Sequence, residues 1–439
     1  MGQQRNAWRR ALEFADATPA SRNRYVDLLR ALSIGAVVFG HWLIAAPWID
    51  AGRLRFDHML AIQPWTQWLS WLFQVMPVFF MVGGYSNATS WDAAMRDGKS
   101  YGEWIGVRMR RLFAPVVPLL IAWGLLGMGA GLVGIPSEVV RIGSQVSIVP
   151  LWFLAVYVLV ALFAPLSRAA WKRLGMGSFW ILVAAAILVD VLRFRFGVQG
   201  LPWINYLFVW SAVHQLGYMW QGGRLDGAWR SLPWALGGAA MMAVLILVAG
   251  YPHSMVGVPG EEVSNTLPPS IAMLGLGLVQ AGLLLAFQRP VRRLLSDRRV
   301  WAATIVVNVN IMSIYLWHST AMILIIGLSW WLGGVGLHLT PGSPVWWAAR
   351  PLWMTVFAVL LLGLLAIFGR YERLPAPTRP LHLWRSLLGS ALLCGGLAKL
   401  AISGIGGPGS LGIRSGALLA ALGGAAIVGA LPLKRRPGG

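Results

Sequence analysis

Apolar runs closed by short segments rich in Arg, Gly, Pro and Asn recur along the chain from residue 33 to residue 431. A helix needs roughly 18 to 20 apolar residues to cross a hydrocarbon core, where only helices or closed barrels satisfy every backbone group. The runs lie at 33–48, 66–86, 111–134, 150–167, 178–192, 204–221, 232–250, 268–287, 302–327, 347–369, 387–403 and 411–431. They predict an all-α, polytopic transmembrane helix bundle of about ten core helices plus two short C-terminal ones. Residues 1–385 form the membrane domain in this reading. Residues 386–439 form a Gly-rich appended hairpin, whose "GIGGPGS" break and Gly412/Gly416 spacing also fit a small-residue helix pair.

Composition agrees with the pattern. The chain is 57% hydrophobic and 12% charged, against roughly a quarter charged in soluble domains. Its 36 Lys and Arg against 15 acids would point to nucleic acid in a soluble protein. Here 28 of the 36, counting Arg111 at the edge of its run, fall in alternate connecting segments, starting with the N-terminal one. By the positive-inside rule the N-terminus is then cytoplasmic, the protein is multi-pass in the plasma membrane, and nucleic acid is not an expected partner. The first apolar run is expected to stay as a span and not be cleaved as a signal. The lone Cys394 excludes an intrachain disulfide, and no HExxH, CxxC or Walker-type motif points to a metal or ATP. The 25 tryptophans read mainly as interfacial anchors.

One run carries more than hydrophobicity. In "RNRYVDLLRALSIGAVVFGHW" Arg30 and His41 are separated by almost three helical turns, and Asp27 joins their face three residues before Arg30. Such a stripe must face protein or a water-filled cavity. Eleven residues rise about 16 Å, so His41 lies near or beyond the middle of the span, too far for Asp27 to orient it. Asp27 is instead expected to hold the Arg30 guanidinium in a bidentate pair. A lone intramembrane histidine is commonly a satisfied polar group against a neighbouring helix, and it is the Arg30/Asp27 stripe that favours function.

Arg30, ten residues and His41, preceded by "DLLRA", resemble the start of membrane-bound acyltransferase family 3, which includes O-acyltransferases of bacterial surface carbohydrates. "PVFFMVGGYS" is similar to the family's second-helix ending, with Gly83, Gly84 and Tyr85 where Ser-Gly-Tyr is usual. "RMRR" supplies Arg108 and Arg111, and "PLWFL", "NTLPPSIAMLGLGL" and "IYLWH" also resemble the family over roughly the first 370 residues. The resemblance implies an O-acyltransferase, with a carbohydrate or glycolipid of the cell envelope as acceptor.

On the predicted topology Arg30, Tyr85, Arg108 and Arg111 lie at cytoplasmic helix ends, where planar, permanently charged guanidiniums suit a phosphate-bearing ligand. Inner arginines are also what the positive-inside rule predicts by itself. Gly83 and Gly84 would let a ligand approach the backbone. Coenzyme A combines phosphates with a thioester on a long arm, so acyl-CoA, expected to be acetyl-CoA, would anchor at the arginines and present its acyl group near His41. A histidine away from water favours its neutral form, with one nitrogen free to accept a proton from a hydroxyl. A covalent acyl-histidine is the other route, and the residues leave both open. His318, Trp152 and Asp190 are the candidates for the acceptor side. Asn308 and Asn310 are expected on the same helix as His318, and Arg193 offers Asp190 a structural pairing. The rival reading is a transporter or lipid-handling channel with His41, Asp190 and His318 along its path. The residues do not fix acyl length, acceptor identity or oligomeric state, and apart from these ligands only membrane lipid is an expected partner.

Overall fold

The computed structural model describes residues 2–19, 21–372, 381–407 and 412–431, with side chains from Trp8 onward. Part of "GIGGPGS" and the basic C-terminus through Arg436 lie outside them. The chain opens with helix α1 (Gly2–Asp16) and then α2 (Arg24–Ile44). α2 begins earlier than its apolar run because Tyr25, Val26 and Leu29 are buried between the charged positions. It also ends earlier, ahead of Pro47, whose ring disfavours helix in the residue before it. There follow β1 (Ala45–Asp50) and β2 (Arg53–His58), a two-stranded sheet joined at Ala51 and Gly52, both at positive φ as a type I′ turn requires.

Beyond short helical turns, the order continues with α3 (Met76–Arg96), α4 (Tyr101–Phe113), α5 (Val116–Leu132), α6 (Ser137–Ile148), α7 (Trp152–Leu174) and α8 (Met176–Phe196). Then come α9 (Asn205–Gln221), α10 (Ala228–Leu247), α11 (Ile271–Ala286), α12 (Gln288–Leu294) and α13 (Arg298–Val309). α14 (Ile311–Trp331), α15 (Pro344–Phe368), α16 (Leu383–Ser403) and α17 (Ser415–Ile427) complete the chain. Among the described residues nine helical stretches are long and apolar enough to cross a membrane, or ten if α11 and α12, bent by 55°, form one span. The protein is an all-α polytopic bundle.

Three expected spans differ. α17, 13 residues within the run expected at 411–431, is too short to count among the nine. α9 is a 17-residue helix buried along most of its length and falls outside the nine. The run expected at 302–327 breaks at Asn310, where the amides of Asn308 and Asn310 donate back to Thr304 O (2.9 Å) and Val306 O (3.0 Å). Short polar side chains compete in this way with the helix's own hydrogen bonds. Asn308 and Asn310 therefore end α13, and His318 belongs to a separate helix, α14.

The chain forms two compact units, the first of residues 1–46, 55–92 and 163–311, the second of 47–54, 93–162 and 312–439. In the first unit α10 packs closely along α11, where a Cβ on Gly238 would come within 2.7 Å of Gly275 O. α3 and α9 touch backbone to backbone. A Cβ on Gly84 would overlap the His214 carbonyl, and one on Gly217 would overlap Met81 O and Tyr85 N. Small residues that permit such approach drive helix association in membranes. Gly84→Ala is expected to destabilise by the upper part of the roughly 1–3 kcal/mol typical of overpacking, read as a lowered Tm in detergent. An unchanged Tm would mean that α3 and α9 can part without cost.

In the second unit Glu372 caps α14, accepting from Met312 N (2.9 Å), Ser313 N (3.0 Å) and Ser313 Oγ (2.8 Å). Trp317 stacks on Phe368 with ring centroids 4.0 Å apart. α16 packs on α4, α6 and α17.

Candidate active site

The polar face of α2 forms within the first unit. Asp27 is 5% exposed, and its Oδ2 accepts from Arg22 Nε at 2.7 Å, while Arg30 Nη1 lies 3.4 Å from Oδ1. The expected bidentate pair between Asp27 and Arg30 is therefore a single long contact, and Arg22 takes the other carboxylate oxygen. The closer partner of Arg30 is on α3: Nη2 donates to Ser86 Oγ at 2.6 Å, and Ser86 Oγ donates to Val82 O at 2.8 Å. Ser86 thus accepts on one side and donates on the other, which fixes the guanidinium. Asn308 Nδ2 donates to Asp27 O (2.8 Å), tying α13 to the same turn.

Beside Ser86, the Tyr85 ring rests against Trp220 at 4.6 Å, and Trp220 donates to Gln288 Oε1 at 3.1 Å. Gly84 serves the crossing with α9 and not ligand approach, since the His214 carbonyl occupies the space a ligand would need. Position 83, where the family's usual serine stands, is glycine and has no hydroxyl to offer. Ser86, one turn along α3, supplies one to Arg30.

His41 lies in the last turn of α2, half-buried, next to the buried Trp42. The two-residue turn sets Asp50 opposite Arg53 and hence Ala45 opposite His58, so the hairpin base returns His58 to the end of α2. The two imidazoles lie within electrostatic reach of one another. His58 Nδ1 is buried without a hydrogen-bond partner among the described residues. Burial lowers the His58 pKa below the ordinary imidazole value, opposed by neighbouring Asp57, which favours the neutral ring. The signal for His58 in the sequence was the hairpin turn, which sets its register.

Asp190, also in the first unit, is 2% exposed and knits α8 to three other segments. It accepts from Asn205 Nδ2 (2.9 Å), Tyr251 OH (3.0 Å) and Ile271 N (2.8 Å). These donors take both oxygens, and the bond from Ile271 N ties Asp190 to the start of α11, whose N-cap is Ser270. Arg193 donates instead to Pro268 O at 3.4 Å and lies over Phe194.

The second unit holds the remaining candidates. Arg108 and Arg111 are three residues apart near the C-terminus of α4, whose dipole favours cations. Arg108 lies over Trp104 at 4.3 Å, and Arg111 is exposed. His318 is fully buried. Its Nδ1 donates to Tyr315 O at 2.6 Å, since a carbonyl can only accept, leaving Nε2 to accept from Ser319 Oγ at 3.1 Å. Both ring nitrogens thus have a partner on α14. Trp152 is half-buried at the start of α7, beside Pro150, whose carbonyl accepts from Tyr315 OH.

Arg30 and His41 thus share one rigid helix and Ser86 orients the arginine, which suits an anionic ligand at one end and proton transfer at the other. The family model described as an acyltransferase domain matches residues 23–368, from the start of α2 to the end of α15. Comparison with curated proteins and with solved structures gave no match. That match takes in Arg30, His41, Ser86 and the α4 arginines and covers most of the chain, so the protein belongs to acyltransferase family 3 and is a membrane acyltransferase.

Proposed function

We propose that this acyltransferase moves an acyl group, acetyl as the expected case, from cytoplasmic acyl-CoA to a hydroxyl of a cell-envelope carbohydrate or glycolipid. It does so in the plasma membrane with its N-terminus in the cytoplasm. The observation that carries this reading is the polar face of α2, with Arg30 held by Ser86 at 2.6 Å and His41 three turns further on. Arg30 binds donor phosphate through charge-assisted hydrogen bonds, and the predicted topology, which puts Arg108, Arg111 and Tyr85 at cytoplasmic helix ends, assigns them to donor binding as well. His41 takes the proton of the acceptor hydroxyl as its oxygen attacks the thioester carbonyl. The carbon–sulfur bond then breaks, and the coenzyme A thiolate leaves with the proton from the imidazolium.

The test is transfer of label from radiolabelled acetyl-CoA by the purified protein in nanodiscs supplied with envelope glycans and glycolipids. Protein-dependent label in an acceptor fraction supports the reading, and label that stays on coenzyme A with every short acyl chain and fraction opposes it. Arg108→Ala and Arg111→Ala are each expected to raise the donor KM by roughly tenfold while leaving the acceptor KM unchanged. A raised acceptor KM with an unchanged donor KM would reverse the assignment.

A further inference from the structure

A cavity of about 600 Å³, within the range of small-molecule sites, lies in the first unit where residues 222–225 join α9 to α10. It is lined by apolar groups, Met176, Met219, Trp229 and Trp234, and by Arg224 and Arg230. The Arg224 guanidinium lies over Trp171 at 5.8 Å. That of Arg230 lies over Trp229 at 5.1 Å and donates to Gly223 O at 3.4 Å. Neither is within ion-pair distance of a carboxylate among the described residues. Arg289 of α12 adds positive charge at the same loop, with Nη2 3.9 Å from where a Gly227 Cβ would stand.

The level of the cavity along the helices matters. Met176 is the first residue of α8, and Trp229 and Arg230 lie in the first turn of α10, both of them stretches able to cross a membrane. α10 buries only 28% of its apolar window inside the protein. Trp180, half exposed, stacks with Trp234 at 6.2 Å and continues the aromatic surface along the spans. Tryptophans gather at the headgroup level of a bilayer, and basic side chains there attract anionic headgroups.

We propose that this cavity binds a phospholipid with an anionic headgroup, Arg224 and Arg230 taking the phosphate and the acyl chains running along Trp234 and Trp180. Guanidiniums offer phosphate planar, permanently charged donors, and ring stacking presets both of these. The apolar lining and its aromatic continuation are what separate a lipid from a soluble phosphate, which would leave that surface unused.

The experiment compares wild type with Arg224→Gln/Arg230→Gln, both full-length in nanodiscs of phosphatidylcholine with or without phosphatidylglycerol, and reads lipid retention by native mass spectrometry and thermal stability. Phosphatidylglycerol is expected to be retained and to raise the wild-type Tm, and the double variant to bind it about thirtyfold more weakly. An Arg224→Lys/Arg230→Lys variant, which keeps the charge, is expected to recover part of the binding and guards against a folding defect in the Gln variant. Equal retention of phosphatidylglycerol and phosphatidylcholine by wild type, or no loss in the Gln variant, would overturn the proposal. Glycerol phosphate or inorganic phosphate that raises the Tm as far as the lipid does would also overturn it, in favour of a soluble ligand.

Discussion

His41→Ala is expected to lower acyl transfer by about 10²–10⁴-fold while the protein inserts and folds as before. The side chain is half-buried in the last turn of α2, and that helix is anchored by other residues: Tyr25, Leu29, Ile34, Val38 and Trp42, all buried. Alanine keeps the helix, since it has the highest intrinsic helix propensity. The loss therefore falls on proton transfer and not on stability. The measurement is turnover with labelled acetyl-CoA, normalised to monodisperse protein recovered from membranes. Near wild-type turnover would remove His41 as the base, and a matching fall in recovered protein would make its role structural.

The second large effect tests the spacing on α2. Inserting one alanine after Gly35 rotates the two ends of the helix against each other by about 100° and adds about 1.5 Å. Gly35 is a suitable place, because a Cβ there would meet nothing within 4 Å. The rotation has to separate one end from its partners on other segments: either Arg30 leaves Ser86, or His41 leaves its position beside His58. Activity is expected to be abolished. Four inserted residues leave a residual rotation of about 40° and add about 6 Å, which a flexible donor arm can partly follow, so a detectable fraction of activity is expected. Both variants are compared at equal membrane level. Full activity in the single insertion would mean that Arg30 and His41 do not serve one bound donor.

How much of this was legible in the sequence depends on the range of the interaction. The spans were legible because a hydrocarbon core sets a minimum apolar length, and the shared face of Asp27, Arg30 and His41 because a helix repeats every 3.6 residues. Both are local rules applied to neighbouring residues. The break at Asn310 was missed because the choice between continuing a helix and folding two amides back onto Thr304 and Val306 is close in energy and carries no hydrophobic signature. Asp190 read as an intramembrane charge with Arg193 nearby, whereas Asn205, Tyr251 and Ile271 N, all distant in sequence, take its oxygens.

The sequence by itself determined the class of the molecule, an all-α membrane bundle, and the two residues on α2 to which the proposed chemistry is assigned. Only the tertiary structure decided what surrounds them. Ser86 reaches Arg30 because Gly84 and Gly217 let α3 and α9 meet backbone to backbone and seat α3 in the first unit. His58 returns to His41 because a positive-φ turn at Ala51 and Gly52 sets the register of a hairpin. The physical reason is common to both. Periodicity says which side of a helix is polar, but hydrogen-bond partners are chosen by shape, where one backbone can approach another and where a turn sends the chain back.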